Sequence, residues 1–126
     1  MQLEILADTF AVCRLAHSAA IPNWATGDFV SVSRCADELS IVCPQDHVPQ
    51  HVAAEREWRC LRIVGPLDFS EVGVLASLAA PLADAKIPIF VISTFTTDYL
   101  LVRIDDQEHA FNVLRETGNE LLTQNP

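Results

Sequence analysis

Three carboxylates, Asp68, Glu71 and Asp98, stand at the edges of an otherwise apolar run between Gly65 and Val102. A carboxylate in such a place pairs with an ammonium or guanidinium, and each charge-assisted hydrogen bond contributes roughly 1.5–3 kcal/mol when sheltered from water. Next to Asp68 and Glu71 the sequence opens a helix. Its first turn leaves backbone N–H groups unpaired and partially positive, so an α-carboxylate docked near Val72 and Gly73 would be stabilised. Gly73, with no Cβ, permits close approach of a ligand or a neighbouring backbone. Opposite charges at two ends describe a free amino acid, and the chemistry is holding, not bond breaking.

Each of these residues also has a plainer reading. Asp68 and Glu71 fit a helix cap, because a Glu three residues after an Asp is the spacing of a capping box. Asp98 fits a polar residue closing a hairpin, Phe95 a core or interface aromatic, and Gly73 a helix-packing contact. What favours binding is the combination, since capping does not require an acidic hairpin opposite.

Other constellations are weaker. Cys43, His47 and His51 recur at four-residue steps with zinc-compatible ligand types, but Pro49 breaks any helix that would align the two histidines, and no fourth ligand is near. A solvated linker is the reading adopted, with no metal expected. Cys13 and His17 lack the Gly-rich oxyanion turn that a nucleophile and base need. No phosphate loop and no dinucleotide fingerprint is present, so neither a cofactor nor catalysis is expected. The four cysteines, Cys13, Cys35, Cys43 and Cys60, form no Cys-x-x-Cys pair and read as small core hydrophobes in strands.

The elements that position these residues follow from periodicity. Trp58 to Val64 reads as a strand ending at Gly65-Pro66. From Ser70, the apolar residues Val72, Leu75, Leu78, Ala79 and Leu82 define a helix face, with Asp68 as N-cap and a kink at Pro81. Ile89–Ser93 and Tyr99–Arg103 form a hairpin. Asp105 caps a second helix carrying Ala110, Phe111 and Leu114, which Gly118 stops, and Leu121 and Leu122 make a last strand. The order strand–helix–strand–strand–helix–strand is the split-βαβ arrangement, one antiparallel sheet with two helices on one face.

A shorter echo lies upstream. Leu3–Ala7 and Phe10–Leu15 read as strands joined by Asp8-Thr9. Ile21-Pro22-Asn23-Trp24, Phe29–Ser33 and Leu39–Cys43 repeat the Ile87-Pro88-Ile89-Phe90 hairpin pattern. Too few residues separate Leu15 from Phe29 for a full helix, so this unit is degenerate, its first helix truncated to a turn. The expected division is residues 1–57 for the degenerate module and 58–126 for the complete one.

With 126 residues and 50% hydrophobic composition, the chain has enough apolar material for a core. Its 17 acidic against 8 basic residues, net −9, argue against nucleic acid or anionic membrane as partners. No apolar run reaches membrane-span length and the start lacks a basic n-region, so a cytoplasmic protein is expected. Apolar sheet edges and helix faces lead to an expected homodimer.

The run Gly65-Pro-Leu-Asp-Phe-Ser-Glu-Val-Gly-Val-Leu-Ala-Ser77, then Pro81-Leu82-Ala83, and Ile92-Ser-Thr-Phe-Thr-Thr-Asp-Tyr-Leu-Leu-Val102 resemble the ACT-domain family. Within it, the chain is most similar to small bacterial tandem-ACT proteins related to the CASTOR-type arginine sensors and, more distantly, to aspartokinase regulatory domains. The resemblance implies an α+β fold of tandem ACT modules, ferredoxin-like βαββαβ, the first degenerate. It implies a non-catalytic sensor that binds a small effector, an amino acid, at a module interface. By the same resemblance Asp68, Glu71 and Gly73 face the effector, while Thr94, Phe95 and Asp98 form the hairpin that closes the pocket on its cationic end. The alternative is a ligand-free ACT-like dimerisation or protein-interaction module whose pocket has collapsed.

Overall fold

Among the described residues four strands precede the first α-helix, and two strands, a second α-helix and a last strand follow it. The structure, a computed structural model, describes residues 1–68 and 70–124; Phe69, quoted within the helix-entry motif, lies outside the described residues. The chain divides into two compact units, one of Met1–Ala7 with Arg59–Pro126 and one of Asp8–Trp58. Two long strands, β1 (Gln2–Leu15) and β4 (Ala53–Ile63), contribute residues to both.

The unit of residues 1–7 and 59–126 carries the α+β element order expected from the sequence. After β4 come α1 (Val74–Asp84), the hairpin of β5 (Ile89–Ser93) and β6 (Asp98–Arg103), then α2 (Gln107–Glu116) and β7 (Glu120–Thr123). Hydrogen-bonded neighbours run β7-β1-β4-β6-β5. β5 and β6 are antiparallel, with Ile89 opposite Val102 and Ser93 opposite Asp98. β7 pairs parallel with β1, so the sheet is mixed, not the wholly antiparallel one expected. The cause is the start of the chain, which takes the place beside β7. Leu3, Leu61, Ile63, Leu78, Leu82, Leu100, Val102 and Leu114 form a single apolar core between sheet and helices. Removing such side chains from water is what holds α1 and α2 in place, at roughly 1.5–3 kcal/mol for each large one.

The unit of residues 8–58 contains no α-helix. Its strand order is β2 (Ser31–Arg34), β3 (Leu39–Pro44), β1 and β4. β3 lies antiparallel to both β1 and β2. Residues 16–30, between β1 and β2, contain turns and bends only. Phe10 and Phe29 meet edge to face at 5.9 Å, and Cys13, Leu39, Ile41, Cys43 and Val48 form the core. Inside β4, Glu57 has a positive φ of 66°. Gln45 holds it there, accepting from the Glu57 N–H at 2.9 Å and donating to its carboxylate at 3.1 Å.

Several expectations are corrected. β1 is one continuous strand, because nothing at Asp8-Thr9 breaks it: neither residue is Gly or Pro, and both are compatible with extended backbone. β2 begins at Ser31, not Phe29. Helix α1 begins at Val74, four residues later than the periodicity from Ser70 implied, and its N-cap is Gly73 rather than Asp68. A 3-10 turn over Ile104–Asp106 precedes α2, whose N-cap is Asp106, not Asp105, with no side-chain cap bond. Cys35 is exposed and follows β2, whereas Cys13, Cys43 and Cys60 are buried in strands.

Candidate functional site

A four-residue turn and a helix start build the site. The hairpin turn between β5 and β6 is closed twice by Thr94, whose N–H and hydroxyl donate to the Thr97 carbonyl at 2.9 and 3.0 Å. Thr97 is buried, and its hydroxyl donates to the Ile63 carbonyl at 2.7 Å, fixing the turn to the end of β4. On the other side, the Leu67 N–H donates to the Thr96 carbonyl at 2.9 Å, which ties the helix-entry loop to the same turn. A Cβ on Gly65 would come within 2.9 Å of the Leu67 nitrogen, so this crossing depends on a glycine.

Between loop and hairpin lies a cleft of about 300 Å³, lined by Leu67, Asp68, Glu71, Gly73, Val74, Leu75 and Ala76 from one side and Ser93 to Asp98 from the other. Of the seven residues singled out from the sequence, Asp68, Glu71, Gly73, Thr94, Phe95 and Asp98 line it. Val72 does not; it is 91% exposed beside the loop. Phe95 is 84% exposed, so its reading as a core aromatic fails.

The acids are organised, but not as a helix cap. Asp68 Oδ1 accepts from the Ser70 N–H and hydroxyl at 2.9 and 2.8 Å. These two bonds, the amide first, hold the Asp68 carboxyl below its ordinary range. Glu71 Oε1 accepts from the Asp68 N–H at 3.2 Å, and the Glu71 N–H donates back to the Asp68 carbonyl at 3.0 Å. Only the Glu71 half of a capping box is therefore present, because the Glu71 N–H goes to the Asp68 carbonyl and not to its carboxylate, and the bonds close the loop before the helix begins. Asp98 Oδ1 accepts from the Ser93 hydroxyl at 2.5 Å across the last rung of the hairpin, and its Oδ2 has no protein donor among the described residues.

Helix α1 starts without any side-chain cap and with no acidic residue in its first turn. Its first intrahelical bond runs from the Ser77 N–H to the Gly73 carbonyl at 2.9 Å, so the N–H groups of Val74, Leu75 and Ala76 lie outside that ladder. All three residues line the cleft. Gly73 has φ +79°, and a Cβ there would meet nothing within 4 Å. It is glycine for its left-handed backbone, not for the close packing weighed above. Ser93 and the helix residues Val74 to Ala76 were missed from sequence. Ser93 has a readable signal, a hydroxyl facing an acid across a four-residue turn.

The other constellation belongs to the unit of residues 8–58. His47 ends a 3-10 turn, and its Nδ1 donates to the Thr26 carbonyl at 2.8 Å. Among the described residues no group of three or more His, Cys, Asp or Glu side chains gathers as a metal set. No helix among them is long and apolar enough to cross a membrane.

Comparison with known proteins bears on fold and family. The family model described as ACT domain matches residues 53–116, and a second, for an N-terminal domain, matches 8–51. A crystal structure of an Agobacterium tumefaciens protein is 44% identical with a TM-score of 0.93, covering 99% of this chain and 94% of that one. The regulatory subunit of aspartate kinase from Thermus thermophilus shares the fold, at 10% identity and TM-score 0.61, covering 88% of this chain and 93% of that one. The cytosolic arginine sensor for mTORC1 subunit 1 of Rattus norvegicus is 37% identical over 70 residues, 55% of this chain. That match spans only 21% of the sensor's own length. The chain belongs to the ACT-domain family.

Proposed function

We propose that this chain is a non-catalytic regulatory module that binds a free amino acid in the cleft between the α1 entry loop and the β5–β6 hairpin. The observation that carries the reading is the uncapped start of α1, whose Val74, Leu75 and Ala76 N–H groups share one cleft with three carboxylates. A ligand α-carboxylate replaces the missing cap there, close to Val72 and Gly73. Asp98, through its Oδ2, and Glu71 take the ammonium or guanidinium end, while Asp68 holds the loop in shape and Thr94 and Phe95 border the mouth. Among the described residues no Lys or Arg lines the cleft, which favours a ligand with a second positive charge. Relatives described as arginine sensors make L-arginine the first compound to test.

Isothermal calorimetry with each of the twenty standard amino acids on folded protein tests the reading. One or a few bind, and Asp98→Ala weakens that binding by roughly 10- to 150-fold, the equivalent of about 1.5–3 kcal/mol for a charge-assisted bond. A folded sample that responds to none of them rejects it. The cytoplasm, as a home for a metabolite sensor, and a homodimer as the working form belong to the same proposal.

The exposure of Val72 and Phe95 at the cleft favours a second reading, a ligand-free interaction module. In that case the protein forms a stable oligomer, shows no ligand response, and loses association on Phe95→Ala.

A further inference from the structure

Asp68 and Glu71 are held by bonds within their own loop, whereas Asp98 is held from the facing strand. Ser93 ends β5, Asp98 opens β6, and the register sets the two directly opposite. Residues so paired point to the same face with Cβ atoms about 4.5–5.5 Å apart, close enough for a hydroxyl to reach a carboxylate. The bond is made, with Ser93 Oγ donating to Asp98 Oδ1 at 2.5 Å, and both residues line the cleft. The backbone beneath them is fixed as well. Thr94 closes the adjoining turn on the Thr97 carbonyl, and the Thr97 hydroxyl ties that turn to Ile63.

Ser93 is out of keeping with its strand. Ile89, Phe90, Val91 and Ile92 before it are the types that suit a pleated, half-buried surface, while Ser93 is polar and exposed. What it supplies is a donor. An ionised carboxylate can only accept, so the hydroxyl engages Oδ1 and leaves Oδ2 with no protein donor among the described residues. A carboxylate at a hairpin end without such a bond samples several rotamers and loses that freedom when a ligand fixes it, which weakens binding. With the bond, the ordering is complete before the ligand arrives.

We propose that Ser93 is a positioning residue of the cleft: it turns the Asp98 carboxylate so that Oδ2, and not Oδ1, meets the positive end of the bound ligand. This role rests on amino-acid binding in the cleft and adds to it a group that never touches the ligand. Ser93 acts through Asp98 alone, so its contribution exists only while Asp98 is present. A hydroxyl that bonded the ligand directly, or one that merely kept the hairpin folded, would contribute whatever stood at position 98.

The test is calorimetry with L-arginine on the wild type, Ser93→Ala, Ser93→Thr, Asp98→Ala and the variant carrying both alanines, each shown to be folded by its unfolding transition. Ser93→Ala weakens binding roughly 2- to 10-fold, the effect of leaving one side chain to be ordered by the ligand. Ser93→Thr, which keeps the hydroxyl and suits a strand, binds as the wild type does, and Ser93→Ala brings no further loss once Asp98 is alanine. NMR couplings of Asp98 in the unliganded protein give a second measure that needs no ligand: one χ1 rotamer in the wild type and Ser93→Thr, averaged rotamers in Ser93→Ala. Undiminished binding by Ser93→Ala, an equal loss in both backgrounds, or an Asp98 just as ordered without the hydroxyl overturns the role of Ser93 alone. A wild type that binds none of the twenty amino acids rejects the reading of the cleft, and this role with it.

Discussion

Thr97 shows how one hydroxyl holds the candidate site together. It is buried, and its bond to the Ile63 carbonyl is the link between the hairpin turn and β4. Thr97→Val keeps the shape but strands that carbonyl away from water, a loss of about 1–3 kcal/mol in denaturant unfolding. Asp68 gives a residue-scale effect of a different kind. Its pKa is lowered in the folded state by the Ser70 amide and hydroxyl, so its stabilisation is present above the ordinary aspartate range and disappears as pH falls through the lowered value. Asp68→Asn is therefore expected to differ from wild type at neutral pH and to converge with it in strong acid, as urea midpoints across that range will report. The group is fully solvated, which keeps the difference small.

Helix ends divide what was legible in the sequence from what was not. Gly118 stops α2 in a left-handed conformation, with the Gly118 N–H on the Arg115 carbonyl and the Asn119 N–H on Leu114, and a glycine after an amphipathic stretch announces this. Helix α1 ends in the same motif, Lys86 N–H on Ala83 and Ile87 N–H on Leu82, but with a lysine at φ +62°. Nothing in the residue type signals that stop. Lys86→Gly relieves it and is expected to raise stability by roughly 1 kcal/mol in equilibrium unfolding. The start of α1 misled for a related reason. Asp68 and Glu71 carry the spacing of a cap, and the Glu71 carboxylate accepts from the Asp68 N–H as in one, yet the helix waits for Gly73 at φ +79°. Gly73→Ala places its Cβ in open space, so its cost of about 1–2 kcal/mol is backbone strain alone. The acids of the cleft were legible because charge in an apolar run stands out. The N–H groups of Val74, Leu75 and Ala76 were not, since a backbone donor leaves no mark on residue type.

At the scale of the whole molecule, an exposed cleft and exposed apolar side chains make one joint demand. Val72 at 91% and Phe95 at 84% exposure stand beside and along the rim of a cleft with three carboxylates. Single exposed apolar residues are ordinary, but two flanking the same opening mark a surface that gains from being covered. On the proposed function, a cationic amino acid such as L-arginine in the cleft would neutralise part of the acidic charge that would otherwise repel a covering surface, so ligand and association would reinforce each other. By linkage, each then raises the affinity of the other by the same factor. Sedimentation velocity across a protein dilution series, with and without saturating L-arginine, is expected to show dimer persisting to lower concentration in the presence of the amino acid. Phe95→Ala is expected to abolish that difference while leaving the unfolding midpoint of the unliganded protein near wild type, because so exposed a ring contributes little to the core. If dimerisation is unchanged by an amino acid that calorimetry shows to bind, the cleft is closed within one chain and the two apolar residues serve contacts unrelated to the ligand.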